Sequence, residues 1–224
     1  MCISTMRNYN SFAATQGSVP ATQVTRTLII LGAIVLSGLT SLAQSNNVTQ
    51  FEHLKQPKIS TKKNQKMLVV EAKGDPNVIG GQAFGLVFQL YYSLPETPKG
   101  PRPAFPRARW PQSLQGPKAE WTGFYALPVP ETVAQLPQHE PQEGLKPSLA
   151  TWEYGEVAEI LHLGPYNREE PDLKRLREFI REQGYVILGG HEEEYIVGPS
   201  QSGKGDPEKY VTIIRYRVRK PDKK

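Results

Sequence analysis

Three consecutive glutamates and a tyrosine, Glu192-Glu193-Glu194-Tyr195, stand inside the β-prone run from His191 to Val197. Side chains of an extended strand alternate between its faces. His191, Glu193 and Tyr195 therefore share one face, and Glu192, Glu194 and Ile196 the other. A carboxylate buried without a partner is strongly destabilising, so whichever face turns inward needs compensation. A flat, apolar cation would supply charge and contact area together, and aromatic faces beside it would add about 0.5–2 kcal/mol each. The spacing leaves two placements open. Glu193 lies in a cleft with such a ligand, or the acids lie on an exposed strand facing Arg215 and Arg217, with Arg215 as a structural partner of Glu193.

Other side chains narrow the chemistry. Trp121 and Tyr125 share one face of a strand-like island, Glu120 to Leu127, and offer stacking surface. Trp152 and Tyr91 are expected in the core, and Tyr166 under a tight loop at a helix entry. The histidines His53, His139, His162 and His191 are scattered, without the HExxH or paired spacing of a zinc site. His162 precedes the tight loop and is expected to bond backbone. No serine sits in a GxSxG elbow. The one GxG, Gly203-Lys204-Gly205, lies between two strands and reads as a hairpin loop, not a phosphate cradle. Neither metal nor cofactor is expected.

The elements that must position these residues follow from periodicity and breakers. Met67 to Ala72 reads as a strand closed by Gly74-Asp75-Pro76, and Asn77 to Ser93 as a helix with Ala83, Leu86, Val87 and Leu90 on its buried face. From Leu94 to Pro147 the chain holds 12 of its 20 prolines, which predicts loop or extended chain. This stretch includes a basic insertion at about 94–118 carrying Lys99, Arg102, Arg107, Arg109 and Lys118, expected to be solvated or to touch an anionic envelope surface. Leu149 to Glu153 and Glu156 to Leu163 read as strands. A helix follows from near Asn167, with Glu170 as capping partner, Leu173, Leu176, Phe179 and Ile180 buried, and Gly184 as its stop. His191 to Val197 and Tyr210 to Val218 are the last strands. A shift of 90 residues lays Gly74 on Gly164, Leu86 on Leu176 and Leu90 on Ile180, so strand, turn, helix, strand, strand occurs twice, and this pseudo-symmetry places Trp121 and Tyr125 opposite Glu193 and Tyr195.

From Val157 the chain reads VAEILHLGPYNREEPDLKRLREFIREQGYVILGGHEEEYIVGP, then a short glycine-rich loop and KYVTIIRYRVR. With the repeat, the HLGPY and EEEY signatures resemble the GyrI-like small-molecule-binding domain of gyrase-inhibitor proteins and of some regulators' ligand-sensing halves. The resemblance is strong from Val157 onward and only architectural before it. It implies an α+β fold over residues 66–220, with duplicated strand-helix-strand-strand modules, a pseudo-two-fold antiparallel sheet and two helices on one face. It further implies a monomer that takes a hydrophobic or cationic small molecule between its halves. Glu193 would be the cleft carboxylate, and Tyr195, Trp121, Tyr125 and Tyr166 the aromatic contacts. Some similar proteins hydrolyse strained, cyclopropane-bearing alkylating compounds. In such an enzyme Glu193 would be the general base and Tyr195 would orient the water. A third role, envelope interaction through the proline-rich insertion, needs no cleft at all.

The amino-terminal third bears on compartment and partners. Before Glu52 the only charges are Arg7 and Arg26. Arg26 is followed by the apolar run Leu28 to Leu39 and the small pair Ser41 and Ala43, the pattern of a secretory signal cleaved after Ala43. That run is shorter than the roughly 20 residues of a permanent membrane span. Residues 44–65 are polar and aperiodic and read as a disordered tether. Removing residues 1–43 takes the formal charge from +5 to +3, and with Cys2 the only cysteine. A disulfide framework and a thiolate nucleophile are then excluded. An exported, mildly basic domain with a signal where such regulators carry a DNA-binding helix-turn-helix is expected to bind no nucleic acid.

Overall fold

A computed structural model describes residues 48–100, 104–110, 116–199 and 205–222. The signal expected over residues 1–43 lies outside them, and among the described residues no helix is long and apolar enough to cross a membrane. In chain order the elements are β1 (Lys58–Lys62), β2 (Gln65–Lys73), α1 (Pro76–Ser93), β3 (Arg107–Arg109), β4 (Thr122–Pro128) and β5 (Leu145–Trp152). They continue with β6 (Gly155–Leu163), α2 (Glu170–Glu182), β7 (Val186–Val197) and β8 (Val211–Arg219). The strands form one antiparallel sheet in the order β1-β6-β8-β7-β3-β4-β2-β5.

That order is a duplication. In the first module β2 and β3 flank β4; in the second β6 and β7 flank β8, and β3 meets β7 at the centre. Two glycines mark the same joint in each module. Gly74 (φ +144°) donates its N–H to Trp121 O just before β4, and Gly164 (φ +118°) donates to Tyr210 O just before β8. Both lie in a conformation open mainly to glycine. The helices begin and end as their sequences dictate. Asp75 accepts from Asn77 N–H at 2.9 Å to cap α1 ahead of Pro76. At the end of α2, Tyr185 N–H returns to Ile180 O beside the left-handed Gly184.

Residues directly opposed across a ladder share a sheet face. The register runs Val70–Tyr125–Ala108–Glu193–Ile214–Ile160. Val70 and Tyr125 pack with Ala83, Leu86, Val87 and Leu90 of α1, while Ile214 and Ile160 pack with Leu173, Leu176 and Ile180 of α2. Both helices therefore cover one face, and Glu193 falls midway between them. Burying each of these aliphatic side chains contributes about 1.5–3 kcal/mol.

The opposite face holds the other two glutamates. Arg215, 2 % exposed, places its three nitrogens on Glu159, Glu192 and Glu194. Arg107 reaches Glu194 at 3.0 Å and Arg109 reaches Glu192 at 2.7 Å. Burial would raise the Glu194 and Glu159 carboxyls, but Arg215, with Arg107 or Lys62 beside it, outweighs burial and holds both below their usual range. Only Glu153 and Tyr154 join β5 at one margin to β6 near the other, so the sheet curls around this network. Tyr154 lies inside the curl, donating to Glu192 at 2.9 Å and accepting from Arg107 at 2.8 Å.

Three expectations need correction. The tether includes β1, paired to β6, and a short helix whose Leu54 is 3 % exposed, because polar residues suffice for an edge strand once Leu54 has apolar Leu161 and Ile213 to cover. The basic insertion is not simply solvated. Arg107–Arg109 is the central strand β3, with Ala108 fully buried, because Arg107 and Arg109 find carboxylates across the ladder. Arg102 lies outside the described residues. Finally, Asn167 and Glu170 form no capping pair: Tyr166–Arg168 is a 3-10 turn and α2 begins at Glu170 behind Glu169.

Replacing Arg215 by methionine takes one cationic partner from each of three buried carboxylates. Removing one partner of a buried ion pair costs about 3–5 kcal/mol, and urea unfolding at neutral pH should show a loss of that size. The acid limb checks the same network. The Glu159 and Glu194 pKa values are depressed on folding, so their stabilisation is complete above about 4.5 and fades as pH falls through the lower folded values. Arg215→Met should flatten that dependence.

Candidate functional site

Glu193 is 7 % exposed, and its carboxylate meets three donors. Trp110 Nε1 reaches Oε1 at 3.0 Å, His191 Nε2 lies 2.9 Å from Oε1, and Tyr195 Oη donates to Oε2 at 2.6 Å. Strand pairing fixes all three. His191 and Tyr195 flank Glu193 at the period-two positions of β7, and the ladder continues past β3 through Trp110 N–H to His191 O. Burial alone would push the Glu193 carboxyl up; the hydrogen bond and the charge of His191, then the Tyr195 and Trp110 hydrogen bonds, outweigh it and hold it below the usual carboxylate range. Among the described residues no lysine or arginine forms an ion pair with Glu193, and Arg215 is engaged on the opposite face.

Aromatic edges close the site. Phe84 of α1 stands edge-on to Tyr125 (5.1 Å between centroids) and Tyr195 (5.6 Å). Trp110 meets Tyr125 at 5.8 Å and Trp121 at 6.2 Å, and Tyr166 meets Tyr195 at 5.5 Å and Tyr210 at 5.2 Å. Edge-to-face pairs add about 0.5–1.5 kcal/mol beyond area burial. Burial first, then the Glu193 charge, raises the Tyr125, Tyr166 and Tyr195 hydroxyls, so all three stay protonated at neutral pH. One glycine makes room: a Cβ at Gly123 would lie 2.9 Å from both Trp110 Cζ3 and Tyr125 Cε2.

Glu169 adds a second carboxyl. It is 6 % exposed, and its Oε1 is buried with no hydrogen-bond partner. Burial first, and then the Glu193 and Asp172 charges, pushes it up to about 9, so it is protonated at neutral pH. The two acids are driven apart in protonation, Glu193 toward the anion and Glu169 toward the neutral acid.

Of the residues singled out from sequence, Glu193, Tyr195, Tyr125 and Tyr166 converge here. Trp121 stands one ring further out, behind Trp110, with its buried Nε1 unpartnered. The repeat puts β4 opposite β8, not β7, so Trp121 and Tyr125 are not the counterparts of Glu193 and Tyr195; β3 fills that place, with Ala108 across from Glu193. Trp110, Phe84 and Glu169 were missed. A tryptophan two residues from a strand centre was the available signal for Trp110, hidden among prolines. His162, 2 % exposed, lies within hydrogen-bond distance of Pro165 O (3.2 Å), as expected, and of Asp172 (2.9 Å).

No family model matches the chain, and no curated protein matches it in sequence. Solved structures do. An uncharacterised conserved protein from Listeria innocua superposes with a TM-score of 0.58 at 19 % identity, covering 79 % of this chain and 98 % of its own. A hydrolase from the same organism gives 0.53 at 17 %, covering 74 % and 92 %. The C-terminal domain of EcmrR gives 0.54 at 13 %, covering 74 % and 98 %. At these identities the likeness establishes the fold alone, a duplicated α+β architecture with one antiparallel sheet and two helices.

Two substitutions test this geometry. Gly123→Ala forces Trp110 or Tyr125 out of place and should destabilise by about 1–3 kcal/mol, with a change in tryptophan fluorescence. Glu169→Gln should stabilise at pH 8 and be neutral at pH 4 in urea unfolding. A carboxyl raised to about 9 on folding takes stability away as pH rises from about 4.5, where the unfolded group ionises.

Proposed function

We propose that this protein captures a hydrophobic, flat monocation in the aromatic cage around Glu193. One observation carries the reading: a buried, ionised carboxylate held by Trp110, His191 and Tyr195, with no lysine or arginine paired to it among the described residues. Its neighbours Glu192 and Glu194 each have arginines, so the lack of one at Glu193 is local to the cage. When His191, 2.9 Å from Glu193, is neutral, a ligand cation completes the charge balance, with cation–π attraction of about 0.5–2 kcal/mol per ring. Tyr166, the most exposed ring of the cage at 37 %, is the wall that yields on entry. A role on nucleic acid is not part of this reading, since Arg107 and Arg215 are buried against carboxylates.

Hydrolysis is the second reading, because the protonated Glu169 beside the ionised Glu193 has the form of an acid and base pair. Two of the similar solved structures are of hydrolases from Listeria innocua. Capture is preferred: a carboxylate stabilised by three donors is a weak proton acceptor. We also propose export, with cleavage after Ala43, from Arg26, the apolar run Leu28 to Leu39 and the small residues Ser41 and Ala43. Mass spectrometry of the secreted fraction should find Gln44 as the first residue.

Titration with N-methylquinolinium and its neutral isostere 1-methylnaphthalene, followed by tryptophan fluorescence, separates charge from contact area. The cation should bind saturably and lose at least about tenfold in Glu193→Gln, a loss of the size measured for removing one charged partner. The neutral compound should bind native and variant alike. Equal loss of both compounds, or no preference for the cation, would refute the proposal. Cyclopropane-bearing alkylators should be recovered unchanged; a hydrated product that disappears in Glu193→Gln would establish hydrolysis instead.

A further inference from the structure

A second cavity lies on the other side of the sheet from the cage. It is a half-open cavity of about 350 Å3 between the two modules, walled by Trp110, Phe124, Trp152 and Ala150, with Arg109, Glu192, Arg215 and Arg217 at its polar side. Gly189 and Gly190 of β7 line it with backbone alone, which keeps it open where β7 bulges between Leu188 and His191. Volumes of this order, with apolar walls and few polar groups, suit a small organic ligand.

Charge decides its class. Every acid of the network at the cavity is already met: Glu159 by Arg215 and Lys62, Glu192 by Arg215 and Arg109, and Glu194 by Arg215 and Arg107. Glu192 is fully engaged, with Oε1 accepting from Arg215 and Tyr154 and Oε2 from Arg109. The Arg109 guanidinium lies 4.1 Å from the Trp152 ring centre and 4.8 Å from that of Tyr154, so those faces are taken. Arg217 is the cation left over. Its only ion pair among the described residues is a 3.7 Å contact with the largely exposed Glu153, and its Nε is buried with no hydrogen-bond partner. A buried N–H of a guanidinium without an acceptor is a marked deficit, and a carboxylate is the acceptor whose geometry fits it.

We propose that this cavity binds a flat aromatic carboxylate, with the carboxylate on Arg217 and the ring against Trp110 and Phe124. The site has the opposite charge preference to the Glu193 cage and does not depend on it. Trp110 belongs to both, its ring lining the cavity while its Nε1 donates to Glu193, and it serves as the reporter.

The test uses the full chain and 1-naphthoate, with neutral 1-naphthamide as control, followed by tryptophan fluorescence. Naphthoate should bind saturably at one per chain, at least tenfold tighter than the amide. Arg217→Gln should weaken it at least tenfold, Arg217→Lys less, and Ala150→Leu, which fills the cavity, should abolish it. Glu193→Gln should leave naphthoate binding intact. Absence of saturable binding to the native chain, indifference to Arg217→Gln, or loss in Glu193→Gln instead would each overturn the assignment. Cation binding is scored separately, so either site can fail without the other.

Discussion

Three consecutive buried carboxylates on one strand are the constraint around which this domain is built. Glu192, Glu193 and Glu194 are each at most 7 % exposed, and unpaired charges at such depth would unfold a domain of ordinary stability. Strand alternation divides the problem. Two of the charges go to the inside of the curled sheet, where Arg215, Arg107 and Arg109 neutralise them. The third goes to the helix face, where its hydrogen-bond partners among the described residues are Trp110, His191 and Tyr195. Much else follows: the three-residue β3 must lie against β7 to deliver its arginines, and the β5–β6 link must be short enough to fold Tyr154 over them.

The duplication explains where the site lies and why it is one-sided. Equivalent modules meet at β3 and β7, which puts the centre of the sheet between the parts packed on α1 and on α2. The register sets Glu193 across from Ala108, so a single charge stands at that centre rather than two. The small Ala108 and Gly123 make room for large rings, and Trp110 crosses from the first module to bond the second module's carboxylate. The same strand pair has the arginine network on its reverse, so each face of β7 has its own charge environment.

Much of this was legible in the sequence, for physical reasons. The buried faces of both helices and the alternation at His191 to Tyr195 are long periodic signals, and Ala83, Leu86, Val87, Leu90, Leu173, Leu176 and Ile180 lie where periodicity puts them. The 90-residue shift pointed to the joint glycines Gly74 and Gly164. What stayed hidden is short or non-local. Three residues of β3 between prolines carry no period, and their arginines read as a solvated run until Glu192 and Glu194 are brought alongside. Missing β3 made β4 look like the partner of β7 and gave Trp121 a place that belongs to Ala108 and Trp110. Glu169 looked like one more surface acid of a helix start, because its burial depends on tertiary packing alone.

The central claim is that a permanent negative charge sits inside the aromatic cage, with a neutral carboxyl beside it. Carbon-13 NMR titration of glutamate side-chain carboxyls, assigned by single Gln substitutions, measures this directly. The Glu193 resonance should report an ionised group throughout, with a midpoint below 4.5, while Glu169 should remain protonated through neutral pH. A Glu193 midpoint above neutral pH would mean the cage holds an uncharged acid, and the cation-binding account would be contradicted.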